Sequence, residues 1–250
     1  MLVRHRQQSS DPSSSKLSLF EQGHKFRVTA LCFDPTNEYV ATGSFDNTAC
    51  VWHAINGICR NVLIGHSGPV TGMAFLSFGP FLVTSSADRT ARVWHILTGE
   101  QLFNLSSHSN AIVCVSLNSA GMVVTASVDR TARLWDLRPP WGEKSGSEIS
   151  CMRGHKGLIR DIKLEPNGRV GMSVSDDGSV RIWNVLKGTL TRHFTGHLYP
   201  VNTCAFLPIQ GQENRSVHFC IRILSLELSA QILFLVPSYL LSHRQVCHVR

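Results

Sequence analysis

From Val28 to Leu207 the chain alternates apolar and polar positions in short runs, with no stretch of helical period. Val28-Thr29-Ala30-Leu31-Cys32-Phe33, Val70-Thr71-Gly72-Met73-Ala74-Phe75, Ile112-Val113-Cys114-Val115-Ser116-Leu117 and Ile159-Arg160-Asp161-Ile162-Lys163-Leu164 each read as a strand. A strand puts successive side chains on opposite faces, so this pattern of small, β-branched and aromatic residues suits a sheet covered by neighbours. Turn residues follow, such as Asp34-Pro35-Thr36-Asn37 and Glu165-Pro166-Asn167-Gly168. Next come ATGSFDNTACVW, LVTSSADRTARVW, VVTASVDRTARLW and SVSDDGSVRIW, each a strand, a tight turn at an aspartate, and a strand ending in tryptophan. Asn56-Gly57, Thr98-Gly99 and Lys187-Gly188 then turn the chain into a fourth strand. The unit is four antiparallel strands.

That unit repeats. His24, His66, His108, His155 and His197 are separated by 42, 42, 47 and 42 residues. Asp46, Asp88, Asp129 and Asp177 follow the first four histidines, and Trp52, Trp94, Trp135 and Trp183 each come six residues after their aspartate. A period of about 42 residues with four strands per unit is a propeller-blade signature. With Gly23-His24, Gly65-His66, Gly154-His155 and Gly196-His197, the chain resembles the WD40 repeat family. In departures from that pattern, His108 follows Ser107, and Trp52 and Trp94 precede histidine instead of aspartate. The resemblance covers about residues 17–207 and implies an all-β protein, a WD40 β-propeller. It implies four complete four-stranded blades (about 24–65, 66–107, 108–154 and 155–196) and a partial fifth (197–207), an incomplete ring.

The ends lie outside this pattern. Residues 1–16 are polar and serine-rich and are expected to be disordered. Lys16 to Gln22 resembles the last strand of a blade. Residues 208–250 form a non-repeat hydrophobic tail: from residue 212 onward there is no glycine, aspartate or tryptophan. Its uncharged stretch Leu228 to Leu241 is 14 residues long, short of the roughly 20 that a membrane helix needs. The tail reads as foreign to the repeat series, as a splice or frame change would produce.

The chemistry-bearing residues also recur with the period. His24, Ser44, Asp46 and Trp52 are followed by His66, Ser86, Asp88 and Trp94, by His108, Ser127, Asp129 and Trp135, and by His155, Ser175, Asp177 and Trp183. Serine, histidine and aspartate together suggest a nucleophile, its base and the group that orients the base. A catalytic site is needed once, however, and here the set returns in every unit. The reading is therefore a buried chain of hydrogen bonds, from Trp N–H to Ser hydroxyl to His to Asp, that ties the strands of one blade. There is no phosphate-binding loop, dinucleotide fingerprint, zinc-protease motif or nucleophile elbow. His193 and His197 do not share a helix face. No enzyme, cofactor or metal is expected.

Alternating strands bring each histidine loop and each aspartate turn to one end of the blade. By resemblance, that rim is lined by Arg27, Thr29 and Phe45; by Pro69, Thr71 and Ala87; by Ala111, Val113 and Val128; and by Leu158, Arg160 and Asp176. Pro200 and Asn202 come from the partial fifth unit. Arg27 beside Phe45, with Arg160 further round, would suit a protein-binding hot spot. The third unit carries an insertion, Pro139 to Gly146, whose Trp141 is expected to pack back on the blade.

Charge and cysteine usage refine the picture. The formal net charge is +7, and Arg89, Arg92, Arg130 and Arg133 recur in two DRTAR strings. No aromatic RNA-binding strand or basic helix accompanies them, so nucleic acid is not favoured, and these arginines are expected to bridge blades or face solvent. The eight cysteines contain no CxxC pair, and the chain opens without a secretory segment, which points to cytosol or nucleus. The segment Val123 to Arg138, ending in Trp135-Asp136-Leu137-Arg138, is similar to the box by which many WD40 proteins dock on the adaptor of a cullin–RING ubiquitin ligase. The expected function is a non-enzymatic scaffold or adaptor for partner proteins; the alternative is a ligase substrate receptor docking through Asp136 and Arg138.

Overall fold

The structure, a computed structural model, describes residues 23–207, 216–223, 231–237 and 246–248, with side chains through Phe206. Blade 1 consists of β1 (Val28–Phe33), β2 (Tyr39–Ser44), β3 (Ala49–His53) and β4 (Cys59–Leu63). Blade 2 is β5 (Val70–Phe75), β6 (Phe81–Ser86), β7 (Ala91–His95) and β8 (Glu100–Leu105). Blade 3 is β9 (Ile112–Leu117), β10 (Met122–Ser127), β11 (Thr131–Asp136) and β12 (Glu148–Arg153). Blade 4 is β13 (Ile159–Leu164), β14 (Val170–Ser175), β15 (Val180–Asn184) and β16 (Thr189–Thr195). Each blade is an antiparallel meander, hydrogen-bonded in chain order. The described residues contain no helix.

A fifth, three-stranded sheet follows: β17 (Val201–Leu207), β18 (Ser216–Ile223) and β19 (Gln231–Pro237). A short β20 (Val246–His248) runs parallel to β16. Parts of the segment read as a tail outside the repeats are therefore strands, two of them continuing the partial fifth blade. Their runs of Val, Ile, Leu and Phe favour extended backbone even without the repeat markers. The expected disorder of residues 1–16 and the strand over Lys16–Gln22 lie outside the described residues.

The core lies between blades. Small residues on the following face of one blade meet large ones on the preceding face of the next. Ala41, Ala49, Val51 and Leu63 of blade 1 pack on Val70, Met73, Phe75 and Trp94 of blade 2. Val83, Ala91, Val93 and Leu105 meet Ile112, Val115 and Trp135, and Val124, Ala126 and Leu134 meet Ile159, Ile162 and Trp183. Gly43 makes one approach possible: a Cβ there would lie 2.5 Å from Val70 Cγ1. Blade 1 presents its own preceding face openly. Val28, Leu31 and Phe33 are 53, 59 and 57% exposed, where Val70, Met73 and Phe75 are 0, 8 and 7% exposed.

Polar groups stitch the same seams. Thr29 donates to the carbonyl of Val70, and Thr71 to that of Ile112. Asn61 reaches the carbonyl of Ile96 in the next blade. Asp161 accepts from the Thr203 hydroxyl at 2.7 Å, the Cys204 amide at 3.2 Å and Lys163 Nζ at 2.8 Å, tying blade 4 to β17. The insertion between β11 and β12 folds onto blade 2. There Trp141 meets Phe78, Phe81 and Phe103 with ring centroids 6.3, 4.5 and 5.2 Å away. Its Nε1 donates to the Leu137 carbonyl at 2.8 Å. The insertion thus clasps two blades.

Candidate functional site

Each blade holds one histidine–aspartate pair. His24 Nδ1 lies 3.1 Å from Asp46 Oδ2, His66 Nδ1 2.7 Å from Asp88, His108 Nδ1 2.8 Å from Asp129 and His155 Nδ1 3.0 Å from Asp177. The hydroxyl in the chain is not the one expected. Trp52, Trp94, Trp135 and Trp183 donate Nε1–H to Thr42, Thr84, Thr125 and Ser173, at 2.7, 2.8, 2.9 and 2.7 Å. The same hydroxyls contact His24, His66, His108 and His155 Nε2 at 2.7 to 2.8 Å.

Ser44, Ser86, Ser127 and Ser175 stand two residues further along the strand and cap the turn instead. Each Oγ accepts the amide of its Asp46, Asp88, Asp129 or Asp177. Ser44, Ser86 and Ser127 also donate to carbonyls of the preceding loop. The hairpin register explains the difference. Val40 is directly opposite Trp52, and the next side chain on that face, within reach of the indole, is Thr42. A hydroxyl ten residues before every tryptophan was the available signal, but a second column eight residues before it looks the same without the register.

Proton assignment is fixed by the partners in blades 2, 3 and 4, whereas in blade 1 His24 Nε2 also faces the Thr42 carbonyl at 3.1 Å. Indole N–H can only donate, so the hydroxyl oxygen accepts from tryptophan and gives its own proton to His Nε2. That leaves Nδ1–H to donate to the carboxylate. Burial disfavours ionised Asp46, yet donation from the Thr48 hydroxyl, the Lys25 and Thr48 amides and His24 outweighs it and brings the carboxyl down to about 2. Asp88, Asp129 and Asp177 are lowered by the same kind of contacts. Burial in turn lowers His66 and His155 despite their aspartates, so both are neutral imidazoles.

In blade 4 the set Asp177–His155–Ser173 has the connectivity of a catalytic triad. Ser173 is 0% exposed, however, and its oxygen already holds the proton of Trp183, itself 1% exposed. A nucleophile must reach its substrate. This one is sealed inside the blade.

The rim places the remaining candidates. In every blade the residue before the turn aspartate donates its amide to the loop before the first strand: Phe45 to Arg27, Ala87 to Pro69, Val128 to Ala111, Asp176 to Leu158. The paired positions are therefore neighbours. Arg27 is exposed, with its guanidinium 3.8 Å over the ring of Phe45, which is 42% exposed. Arg160 grips Asp176 through two nitrogens. Pro69, Thr71 and Leu158 are half-buried. The hydroxyls of Thr29 and Thr71 donate to carbonyls of the neighbouring blade, Val70 and Ile112. Pro200 and Asn202 are half-buried, and Asn202 turns back on the Pro200 carbonyl.

Arg92 and Arg133 are also corrected. Neither bridges blades; each pairs with the fourth strand of its own blade, Arg92 with Gln101 and Arg133 with Glu148, both at 2.5 Å. Lys25, Arg27, Arg89, Arg130, Lys156 and Arg160 are exposed beside the histidine loops and aspartate turns, whose four repeat aspartates are bonded inward. That rim is basic. Just after the third strand of blade 3, Arg138 folds onto Asp136 with Nε and Nη2 at 2.8 and 2.6 Å from the carboxylate.

Known proteins share this framework. The family described as "WD domain, G-beta repeat" matches residues 15–53, 57–95, 99–136 and 146–184. The last three matches begin just before the outer strand of one blade and end on the third strand of the next. Periodic tryptophan protein 2 homolog of Mus musculus is 33% identical over 180 residues, 72% of this chain and 19% of that protein. Proteasomal ATPase-associated factor 1 of Gallus gallus is 38% identical over 56 residues, 22% of this chain and 14% of that protein. Periodic tryptophan protein 2 of Arabidopsis thaliana is 27% identical over 194 residues, 76% of this chain and 21% of that protein. The chain thus spans about a fifth or less of the length of these relatives. With four matched repeats and the buried tryptophan–hydroxyl–histidine–aspartate chain in each blade, it belongs to the WD40 repeat family.

Proposed function

We propose that this chain is a non-enzymatic interaction module whose basic rim binds an acidic segment of a partner protein, anchored by an apolar side chain on blade 1. The exposed Arg27–Phe45 pair carries the reading. Aromatic and arginine side chains are the residues over which binding energy concentrates, and here one holds the other in place before binding. Beside them Phe26 is exposed, while Lys25, Arg89, Arg130 and Lys156 make no ion pair among the described residues. Apolar anchors within a field of one charge fit a partner of opposite charge. The thiol-rich composition suits cytosol or nucleus as the place of action.

Fluorescence polarisation with labelled Glu/Asp-rich peptides carrying a single Phe or Leu tests the reading. Binding should weaken about tenfold on Arg27→Ala or Phe45→Ala, and should fall as salt is raised. Binding indifferent to both substitutions would refute it, as would preference for single-stranded RNA. The alternative, a ligase substrate receptor docking through Asp136 and Arg138, draws less support from the geometry. The two side chains neutralise each other, and a partner would have to replace that pair. Pull-down of the adaptor with wild type and Arg138→Ala separates the two readings.

A further inference from the structure

In blades 2 and 3 two positions on the third and fourth strands always meet. Trp94 is opposite Gln101, and Arg92, two residues before that tryptophan, bonds Gln101. Trp135 is opposite Glu148, and Arg133 bonds Glu148. In both, a bulge just before the tryptophan draws the fourth-strand residue toward the side chain two positions back. Blade 1 has the same register and the same bulge, with Trp52 opposite Cys59. Its two meeting positions are Cys50 and Cys59.

Both cysteines are buried, at 0 and 7% exposure. Cys50 Sγ lies 3.8 Å from His24 Nδ1, and the mutual influence of the two thiols lowers Cys59 below its ordinary value and, together with burial, pushes Cys50 up. Cys59 also faces the Asn61 carbonyl at 3.6 Å. Cys32, Cys114, Cys151 and Cys204 lie on β1, β9, β12 and β17, away from this hairpin. A paired arginine and glutamine would give this hairpin a polar clasp; two thiols in their place give it a clasp that can be made covalent.

We propose that Cys50 and Cys59 are a redox pair that a hydroperoxide converts to a reversible disulfide, stapling β4 to β3 in blade 1. The Cys59 thiolate attacks the peroxide oxygen; an S–O bond forms, the O–O bond breaks, and the leaving alkoxide or hydroxide takes up a proton. The Cys50 sulfur then attacks the sulfenic sulfur. An S–S bond forms, the S–O bond breaks, and hydroxide leaves as water with the Cys50 proton. Two thiols and one hydroperoxide become a disulfide, an alcohol or water, and a further water. A dithiol reductant reverses it by exchange. The staple falls in the blade that carries the Arg27–Phe45 anchor and the open apolar flank.

The test treats the reduced full chain with stoichiometric hydrogen peroxide, blocks remaining thiols with N-ethylmaleimide under denaturing conditions, and maps the digest by mass spectrometry without reduction. The expected result is a Cys50–Cys59 linked peptide pair lighter by two hydrogens, with the other cysteines alkylated. The pair should disappear after dithiothreitol and in both Cys50→Ser and Cys59→Ser. Oxidised wild type should melt at higher temperature than reduced, and Cys59→Ser should show no such shift. A parallel incubation in a glutathione buffer rich in glutathione disulfide reports the equilibrium independently of peroxide access. Full alkylation of both residues after both treatments would overturn the proposal, and so would oxidation that links either one mainly to another cysteine.

Discussion

Replacing Thr84 by valine removes one oxygen and tests the buried relay directly. The side chain keeps its shape and its β-branching, so strand propensity and packing volume barely change. Two buried groups lose their partner: Trp94 Nε1, 2.8 Å away, and His66 Nε2, also 2.8 Å away. A buried polar group without a partner costs about 1–3 kcal/mol, so the pair costs about 2–6 kcal/mol. The methyl group that replaces the hydroxyl recovers up to about 1 kcal/mol, leaving about 3 kcal/mol. In a chain of this size that corresponds to a melting temperature lower by about 6–12 °C. Thermal and urea unfolding followed by tryptophan fluorescence measure it. Thr84→Ser is the control, because blade 4 runs the same relay through Ser173; it should retain most of the stability. If the valine variant melted within about 1 °C of wild type, the two hydrogen bonds would not be holding the blade, and the structural role of the relay would fail.

Gly43→Ala should cost about 1–3 kcal/mol, because its Cβ would press on the stiff Val70 side chain, and Val70→Ala in the same chain should recover part of the loss; urea midpoints of the two singles and the double give the coupling. Trp141→Ala should cost about 2–3 kcal/mol, less than a fully buried tryptophan, and should open residues 139–146 to limited proteolysis while leaving rim binding unchanged. Stability should also fall with acid in two stages. His66 and His155 have lowered values in the fold, so the unfolded chain binds protons first; their contribution is complete above pH 6.5 and is lost as pH falls toward the folded values. Asp46 adds a second loss, from its ordinary 3.8 down to about 2. Unfolding midpoints across this range read both, and a midpoint flat through pH 6.5 would contradict the buried neutral imidazoles.

Much of this was legible from spacing, because repetition turns one blade's constraints into four observations. Histidine, aspartate and tryptophan recur at fixed intervals since each is locked by the other two, and the interval survives any change in the loops. Spacing does not see register. Thr42 and Ser44 are both hydroxyls on the same face of β2, and only the pairing of Val40 with Trp52 decides which one the indole reaches. Nor does it see seams. Thr29 and Thr71 occupy rim positions by count, and only the structure shows that their hydroxyls also hold the next blade's carbonyls. Arg92 and Arg133 were misplaced for the same reason: the bulge before each tryptophan turns the side chain along its own hairpin. The fifth sheet was illegible because β18 and β19 lack the markers that reveal the others, although their backbone extends just as readily.

The same logic indicates where function resides. Positions that hold the blade together are much alike in all four copies: the relay hydroxyl varies only between threonine and serine, and the buried core of each seam is filled by apolar side chains of fitting volume. Such positions cannot distinguish one partner from another, since changing them undoes the blade. Recognition must use sites that the framework leaves unconstrained, and the copies differ sharply there. The position before the turn aspartate is phenylalanine, alanine, valine and aspartate in the four blades, and its loop neighbour is arginine, proline, alanine and leucine. Only blade 1 combines an exposed ring with a cation stacked on it. Only blade 1 places two thiols where blades 2 and 3 hold an arginine and its acceptor. Neither substitution helps the fold: Phe45 exposes apolar surface, and the cysteine pair forgoes a polar clasp. Residues that the framework does not need, gathered on one blade, are where a binding partner and a redox signal would act on the same element.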